Sequence, residues 1–447
     1  MKRILYVPIE VQRREFKAKL YLVCKALAEG HDVVIGRHWQ VERFALRNYN
    51  GIYLSKSHFE DAYSKLEQMK QRNFQIIVHD EEGSTTGNTY DEYVNQRVGK
   101  RTLETCDNIL AWGKLEESYL KRYVPQMSEK IQSAGNPRLD LLRSGSYGLY
   151  EKDVEKIHQK IGKYILVNTA FGHTEAATSK IREAYKNNKE ATNDIYNYIN
   201  ACKATKTPFL DGIRYIADKL DIAIVLRPHP AEDIEEYKDL FKDYPNVYVT
   251  NSLGVNPWIW GASAVIYNSC TTGMESFIIG TPTIAFLPDG KSIFGDVWIN
   301  KLGYMVTERE QLLTEINWIL SKDIHADEIK NRYFSQEKWK ELAEVILYDE
   351  QETSSSKFIR CFWNDEVSDG YNMMWKCGKF RIAEHLWRYL LDWYFYLRRD
   401  KYRDYKWISM CHKKLLEDVN EINRVLQLDL SIKVIPLLKD LYMLKAT

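Results

Sequence analysis

The chain has 447 residues, more than a single domain of roughly 150 residues holds, so two or three domains are expected. Lys+Arg 63 against Asp+Glu 62 leaves a formal net charge of +1, which excludes a global pull onto nucleic acid or anionic lipid. With 45% hydrophobic and 28% charged residues, and only 22 Gly and 11 Pro, the bulk of the chain is neither disordered nor of low complexity.

The seven cysteines (24, 106, 202, 270, 361, 377, 411) are scattered, odd in number and contain no CxxC pair. They speak against a disulfide framework and against a zinc site. In the N-terminal MKRILYVPIEVQRREF, Glu10 and Arg13–Arg14 arrive before a signal sequence could form, and no apolar run reaches the ~18 residues of a membrane span. A cytoplasmic protein is expected.

Residues 3–9 (RILYVPI) read as a buried strand, followed by a helix from about Glu15 to Glu29 that stops at Gly30, and then a second strand in HDVVIG. The rhythm continues with a helix near 38–48, GIYLS, a helix near 58–72, FQIIVHDEEG, a helix near 91–106, NILAWG and KIQSAG. Short apolar strands without alternation, separated by helices, predict a parallel sheet covered on both faces. GNPRLDLLRSG (135–145) closes this region, Tyr150–Gly162 reads as a connecting helix, and the pattern restarts at KYILVNTA. Further strands are expected at 222–229 (IAIVLRPH), 246–250 (NVYVT), 264–269 (AVIYNS) and 282–287 (PTIAFL).

The predicted fold is therefore α/β: a Rossmann-like acceptor or catalytic domain over 1–150 and a Rossmann-like nucleotide-sugar domain over 151–350, facing a cleft. QETSSSK reads as a linker, and 351–447 as a helical appendage rich in aromatic and basic residues. Within it, 381–407 carries Trp387, Leu391, Tyr394 and Phe395 on a helical stripe among Arg388, Arg398, Arg399, Lys401, Arg403 and Lys406. That mixture suits peripheral contact with a membrane surface, and packing across the domains or a second subunit is the alternative.

Three segments carry candidate chemistry. HDEEG (79–83) lies at the carboxyl end of FQIIV, where open α/β sheets bind ligands. Crowding of Asp80, Glu81 and Glu82 predicts that at least one of them has a raised pKa, fitting it for proton transfer; a solvated acidic loop is the alternative. In LRPHP (226–230), Pro228 and Pro230 stiffen the backbone around His229, and Arg227 supplies a planar donor fork suited to phosphate. In YNSCTTGMESFIIGTPTIAF (267–286), Asn268, Ser269, Thr271 and Thr272 stand at a helix N-terminus, where hydroxyls, unpaired amides and the helix dipole favour an anion. Gly273 is expected to let the backbone approach a ligand closely, and Glu275, one turn in, to bond a sugar or ribose hydroxyl; a plain helix cap is the alternative. His173 and Glu175 in NTAFGHTE are further cleft candidates. GxGxxG after the first strand, GxxxxGK[ST], GxSxG and HExxH are all missing, which removes the dehydrogenase, P-loop, hydrolase and zincin readings.

Glu81-Glu82-Gly83, His229-Pro230 and Ser269–Thr272, in this order, resemble the acidic, His-Pro and serine motifs of bacterial sialyltransferases and β-Kdo transferases. GNPRLD, LRPHP and NSCTTGMESFIIGTP are also similar to the surface carbohydrate proteins related to capsule and lipopolysaccharide Kdo transferases, over roughly residues 1–345. This chain departs from the paired serines of that family by having Ser-Cys-Thr-Thr. The resemblance implies a GT-B glycosyltransferase moving Kdo, or a related 2-keto sugar acid, from its CMP form to a surface glycan acceptor that is free or lipid-linked. It further implies that His229, Arg227, Ser269, Thr271 and Thr272 stabilise the departing phosphate. Asp80, Glu81 or Glu82 would serve as general base in an inverting enzyme or as nucleophile in a retaining one. No DxD triad stands on a strand-end loop, and transfer without a metal or other cofactor is expected. Other readings are a CDP-glycerol-type transferase, a UDP-GlcNAc 2-epimerase-like isomerase with the same fold, and a catalytically silent nucleotide-binding module.

Overall fold

The computed structural model describes residues 2–83, 89–171, 189–229, 232–291, 297–321, 326–366, 407 and 409–447, without the side chains of 189–196 and 198. The chain divides into two compact units, Met1–Leu141 with Ala343–Thr447, and Leu142–Leu342.

The first unit is built on an eight-stranded sheet in the order β13-β14-β2-β1-β3-β4-β5-β6. Its strands are β1 (Leu5–Ile9), β2 (Val33–Arg37), β3 (Ile52–Ser55), β4 (Gln75–His79), β5 (Asn108–Ala111), β6 (Ile131–Ser133), β13 (Ile432–Leu438) and β14 (Leu441–Ala446). From β2 to β6 every pairing is parallel. Every residue of β1, β3 and β4 is buried, which is why these strands read as unbroken apolar runs. Strand order reverses between β1 and β3, and this reversal is where an open α/β sheet opens a crevice at its carboxyl edge.

The expectation of a purely helical appendage over 351–447 is corrected here. Besides the Ser354–Arg360 and His412–Val425 helices, the C-terminal segment supplies two strands, with β14 antiparallel to β2 and β13 antiparallel to β14. Gly36 admits them: a Cβ there would lie 2.3 Å from the carbonyl oxygen of Asp440, at the hairpin turn. Asp440 holds that turn with φ +61° while its carboxylate accepts from the Met410 amide and the Ser409 hydroxyl. Leu437, Leu441 and Met443 then join Val34, Val41 and Phe44 in the core.

QETSSSK is likewise no linker. The Thr353 side chain caps the Ser354–Arg360 helix, and buried Asp140 of GNPRLD accepts from the amides of Ser354 and Ser355, both at 2.8 Å. Gly135, at φ +73°, leaves the space that the Ser354 hydroxyl and the Leu347 carbonyl occupy. GNPRLD therefore anchors the returning chain to the first unit.

The second unit carries a wholly parallel six-stranded sheet in the order β12-β11-β10-β7-β8-β9. The strands are β7 (Tyr164–Asn168), β8 (Ala223–Arg227), β9 (Val247–Val249), β10 (Ala264–Tyr267), β11 (Thr283–Phe286) and β12 (Tyr304–Val306). Here the order reverses between β7 and β10. Their ends are level, since Asn168 stands opposite both Tyr267 and Arg227. Among the described residues, no helix is long and apolar enough to cross a membrane.

Candidate active site

In the first unit the acidic segment leaves the end of β4 close to the β1/β3 reversal. His79 is buried; its Nε2 bonds the Gly135 carbonyl at 3.1 Å, and its ring stacks on Trp112. Burial pushes the His79 pKa down to about 4, so the ring is neutral.

Each of the three carboxylates meets its own cation. Asp80 is buried and takes both prongs of the Arg97 guanidinium, at 2.6 and 2.7 Å, while its carbonyl accepts the Trp112 indole N–H at 2.6 Å. Glu81 is buried against the ammonium of Lys19. Glu82, 42% exposed, is 2.5 Å from Arg14 and 3.7 Å from Arg97. The expected rise in pKa is therefore corrected for Glu81. Burial alone would raise it, but Lys19, with Arg14 behind it, outweighs burial and holds the carboxylate below its ordinary range.

In the first unit the sequence reading missed two carboxyls whose pKa is raised. Glu15, one turn into the Gln12–Ala28 helix, is buried beside Glu81; burial and that neighbouring charge push its pKa up. Its oxygens accept the amides of Glu10 and Val11 at 3.0 and 3.1 Å, closing the helix start. Glu116, buried in the Lys114–Tyr123 helix, is pushed up to about 7 by burial. Lys56, just past β3, pairs with Glu10. Glu15 and Lys19 stand four residues apart, on one face of the helix that follows β1, which is the signal that could have found them.

In the second unit, polar groups gather at the level ends of β7, β8 and β10. The Thr169 hydroxyl, the Phe171 amide (2.5 Å) and the His229 amide (2.7 Å) all donate to the carboxylate of Glu232. Glu232 thus ties the segment after β7 to the His-Pro turn, and burial raises its pKa against those bonds. It stands three residues after His229 and returns its own amide to the His229 carbonyl at 2.8 Å, so one tight turn joins the two. The His229 side chain is exposed. Arg227, expected to face phosphate, directs its fork to the carbonyls of Ser252 (2.7 Å) and Leu253 (3.3 Å) and lies over the Trp258 ring. Pro230, His173, Glu175 and residues 381–406 lie outside the described residues.

After β10, Asn268 is buried and donates to the carbonyls of Phe286 (3.0 Å) and Lys291 (3.3 Å). Ser269 adopts φ +55°, with its amide on Asn300 Oδ1 at 2.9 Å and its hydroxyl between Asn268 and Asn300. The buried Thr272–Ile279 helix follows, with Thr271 at its N-cap making no side-chain capping bond. The Thr272 hydroxyl is buried with no oxygen or nitrogen partner among the described residues, beside the Cys270 thiol. Glu275 is buried in the first turn. One expectation is corrected: the room left by Gly273 belongs to protein, since a Cβ there would lie 2.3 Å from the Tyr267 ring. Nearby, the Asn168 amide nitrogen is buried without a partner among the described residues.

A separate polar cavity of about 480 Å³ lies in the first unit among Asn108, Gln132, Lys357, Arg360 and Trp363. Its cations are already paired, Lys357 with Asp349 and Glu352 and Arg360 with Glu352. Among the described residues no group of three or more His, Cys, Asp and Glu side chains is arranged to hold a metal ion.

No protein-family model matches the chain, and no curated protein matches it by sequence. Solved structures do. A Listeria monocytogenes protein assigned as a UDP-N-acetylglucosamine 2-epimerase is 14% identical, with TM-score 0.51 over 80% of this chain and 95% of that one. The Methanocaldococcus jannaschii UDP-GlcNAc 2-epimerase, solved with UDP-GlcNAc and UDP, is 14% identical, with TM-score 0.50 over 80% and 99%. The wall teichoic acid polymerase TagF is 12% identical, with TM-score 0.46 over 80% and 87%. Two Rossmann-like sheets, parallel apart from the β13–β14 hairpin, and the likeness to the two epimerase structures make the fold GT-B-like.

Proposed function

We propose that this chain is an enzyme of nucleotide-activated sugars, acting in the synthesis of a surface glycan. The second unit would hold the nucleotide phosphate at the β7/β10 reversal. The observation that carries this reading is the convergence there of Asn168, Thr169, the His229 turn and the Thr271–Thr272 helix start, all at one level of one sheet edge. A helix N-terminus, a stiff turn and the buried Asn168 amide nitrogen, unpartnered among the described residues, together favour an anion. Glu275, expected to bond a ribose or sugar hydroxyl, stands buried in the first turn of that same helix.

A UDP-sugar is the first candidate for the substrate, because the Methanocaldococcus neighbour binds UDP-GlcNAc and UDP and is a 2-epimerase. Transfer from a CMP-activated sugar acid such as Kdo is the second. It is favoured by one observation: Glu82, in the Glu81-Glu82-Gly83 loop, is the most exposed carboxylate of the three and is flanked by Arg14 and Arg97. CDP-glycerol is a third donor to include because of the GNPRLD and His-Pro segments.

Calorimetry of the full chain with UDP, UDP-GlcNAc, CMP, CDP and CDP-glycerol tests the proposal. Preference for UDP, with C2-epimerised sugar seen by NMR, supports the isomerase. Preference for CMP, with CMP released from CMP-Kdo onto a glycan acceptor, supports the transferase. Binding of none would overturn the nucleotide-sugar reading. His229→Ala should weaken nucleotide binding, whereas Glu82→Gln should abolish turnover and leave nucleotide affinity nearly unchanged.

A further inference from the structure

Beneath the acidic loop lies a buried chain of three titratable side chains that the proposed chemistry does not use. Glu116 Oε2 accepts the Trp112 backbone amide at 2.7 Å, and Oε1 accepts the Tyr93 hydroxyl at 2.5 Å. The Tyr93 oxygen is in turn 3.3 Å from His58 Nδ1. All three side chains are buried. The far end of the chain, His58 Nε2, is buried without a hydrogen-bond partner among the described residues.

Gly83 sits directly on this carboxyl: a Cβ there would lie 2.2 Å from Glu116 Oε1. The same helix start holds the loop from a second side, since the Trp112 indole bonds the Asp80 carbonyl and the Gly83 amide closes on that carbonyl at 3.3 Å. The glycine of Glu81-Glu82-Gly83 is therefore explained by Glu116, which fills the space a side chain would need.

We propose that Glu116 is a positioning residue for the Asp80–Gly83 loop, and hence for Glu82, and that Tyr93 and His58 form with it a relay whose direction reverses when Glu116 takes up a proton. This deepens the proposed use of Glu82 and rests on that reading for its role in turnover, although the relay itself does not.

The step balances at one proton. With Glu116 ionised, His58 Nδ1–H donates to the Tyr93 oxygen and Tyr93 O–H donates to Glu116. On uptake, His58 Nε2 gains a proton, the Nδ1 proton passes to the Tyr93 oxygen, and the Tyr93 proton passes to Glu116 Oε1. Every bond in the chain then points the other way, and His58 has exchanged one neutral tautomer for the other. The groups facing Glu116 are Tyr93 and Arg97 from the Tyr90–Arg97 helix, Asp80 from the loop after β4, and His58 through Tyr93 from the segment after β3. Burial and the Asp80 charge favour the neutral carboxyl; the Tyr93 and Trp112 bonds and Arg97 favour the ionised one, and the balance falls at about 7. Above that pH a second buried negative charge faces Asp80 and loosens the loop that Glu116 supports.

The test needs no nucleotide. Amide hydrogen exchange of residues 79–83 in the full chain is followed from pH 6 to pH 8.5 with intrinsic rates divided out, and the His58 tautomer is read by ¹⁵N NMR. Protection should fall about ten-fold across neutrality as the His58 proton moves from Nε2 to Nδ1. Glu116→Gln should remove the step, and Tyr93→Phe should move its midpoint upward by deleting a bond to the ionised form. A flat wild-type profile, or an unmoved step in Tyr93→Phe, overturns the relay even where Glu116→Gln fails to fold. Nucleotide calorimetry is independent of this result, so failure of the relay and failure of the donor reading are told apart.

Discussion

The buried pair of Lys19 and Glu81 offers the sharpest test of how the first unit tolerates a cluster of acids around one sheet edge. Their side chains are 8% and 9% exposed, and the same ammonium also acts on Glu15. Removing one partner of a buried pair costs about 3–5 kcal/mol, because the remaining charge is left in a medium that solvates it poorly. In Lys19→Met the stem volume is kept and the charge is lost. Glu15 retains the amides of Glu10 and Val11 and Arg14 at 3.5 Å, so the loss falls mainly on Glu81.

The pH dependence has a definite sign. In the wild type Glu81 lies below its ordinary 4.5, so its contribution to stability is present above that value and fades as the medium is acidified further. Without Lys19, burial pushes Glu81 upward instead. The variant should then be weakest at pH 8 and recover toward pH 5 as the carboxylate is neutralised. Lys19→Met/Glu81→Gln removes both charges and should regain most of the loss. Urea unfolding at pH 8 and pH 5.5 measures this, with hydrogen exchange of the Gln12–Ala28 helix assigning the transition to the first unit. A Lys19→Met protein within about 1 kcal/mol of wild type at pH 8, the range of an exposed pair, would refute the reasoning, as would a double variant no better than the single.

Two further outcomes are expected. Gly273→Ala drives a methyl group into the Tyr267 ring, whose hydroxyl is tied to the Ile299 carbonyl at 2.6 Å, so thermal unfolding should show a loss of about 1–3 kcal/mol; an unchanged melting temperature would refute the packing role of Gly273. His58 and His79 are held neutral by burial, with pKa values near 4 against an ordinary 6.5, so the stability they contribute is intact above pH 6.5 and lost as the pH falls toward 4. That fall is worth about 3 kcal/mol for each ring and is opposed by protonation of the raised Glu15, Glu116 and Glu232, so a His79→Gln protein should lose less stability than the wild type between pH 7 and pH 4.5 in denaturant titrations. Identical pH dependence in the two proteins would refute it.

The sheet strands were legible because they are buried on both faces: LYVPI, IYLS, QIIVH and AVIY carry no polar alternation that could mislead. The hairpin β13–β14 was not. Its turn is Lys439-Asp440 rather than a glycine pair, and β14 becomes a strand by pairing with β2, some 400 residues earlier in the chain. The Ser354–Arg360 helix was hidden for a similar reason: three serines read as a linker until Asp140 accepts the amides of Ser354 and Ser355 and Thr353 accepts that of Ser356.

The site divides in the same way. Sequence alone located the acidic, His-Pro and Ser-Thr segments, since each is the polar residue run that follows an apolar strand, and chain connectivity forces such runs to the sheet edge. Only the tertiary structure decided which charges meet. Lys19 reaches Glu81, Arg97 reaches Asp80, Glu232 gathers three donors and Glu116 lies under Gly83. A carboxylate's protonation is set by burial and by the cation beside it, and neither follows from the residues next to it in the chain. The crowding of Asp80, Glu81 and Glu82 is a property of sequence; its relief by three separate cations is a property of the fold.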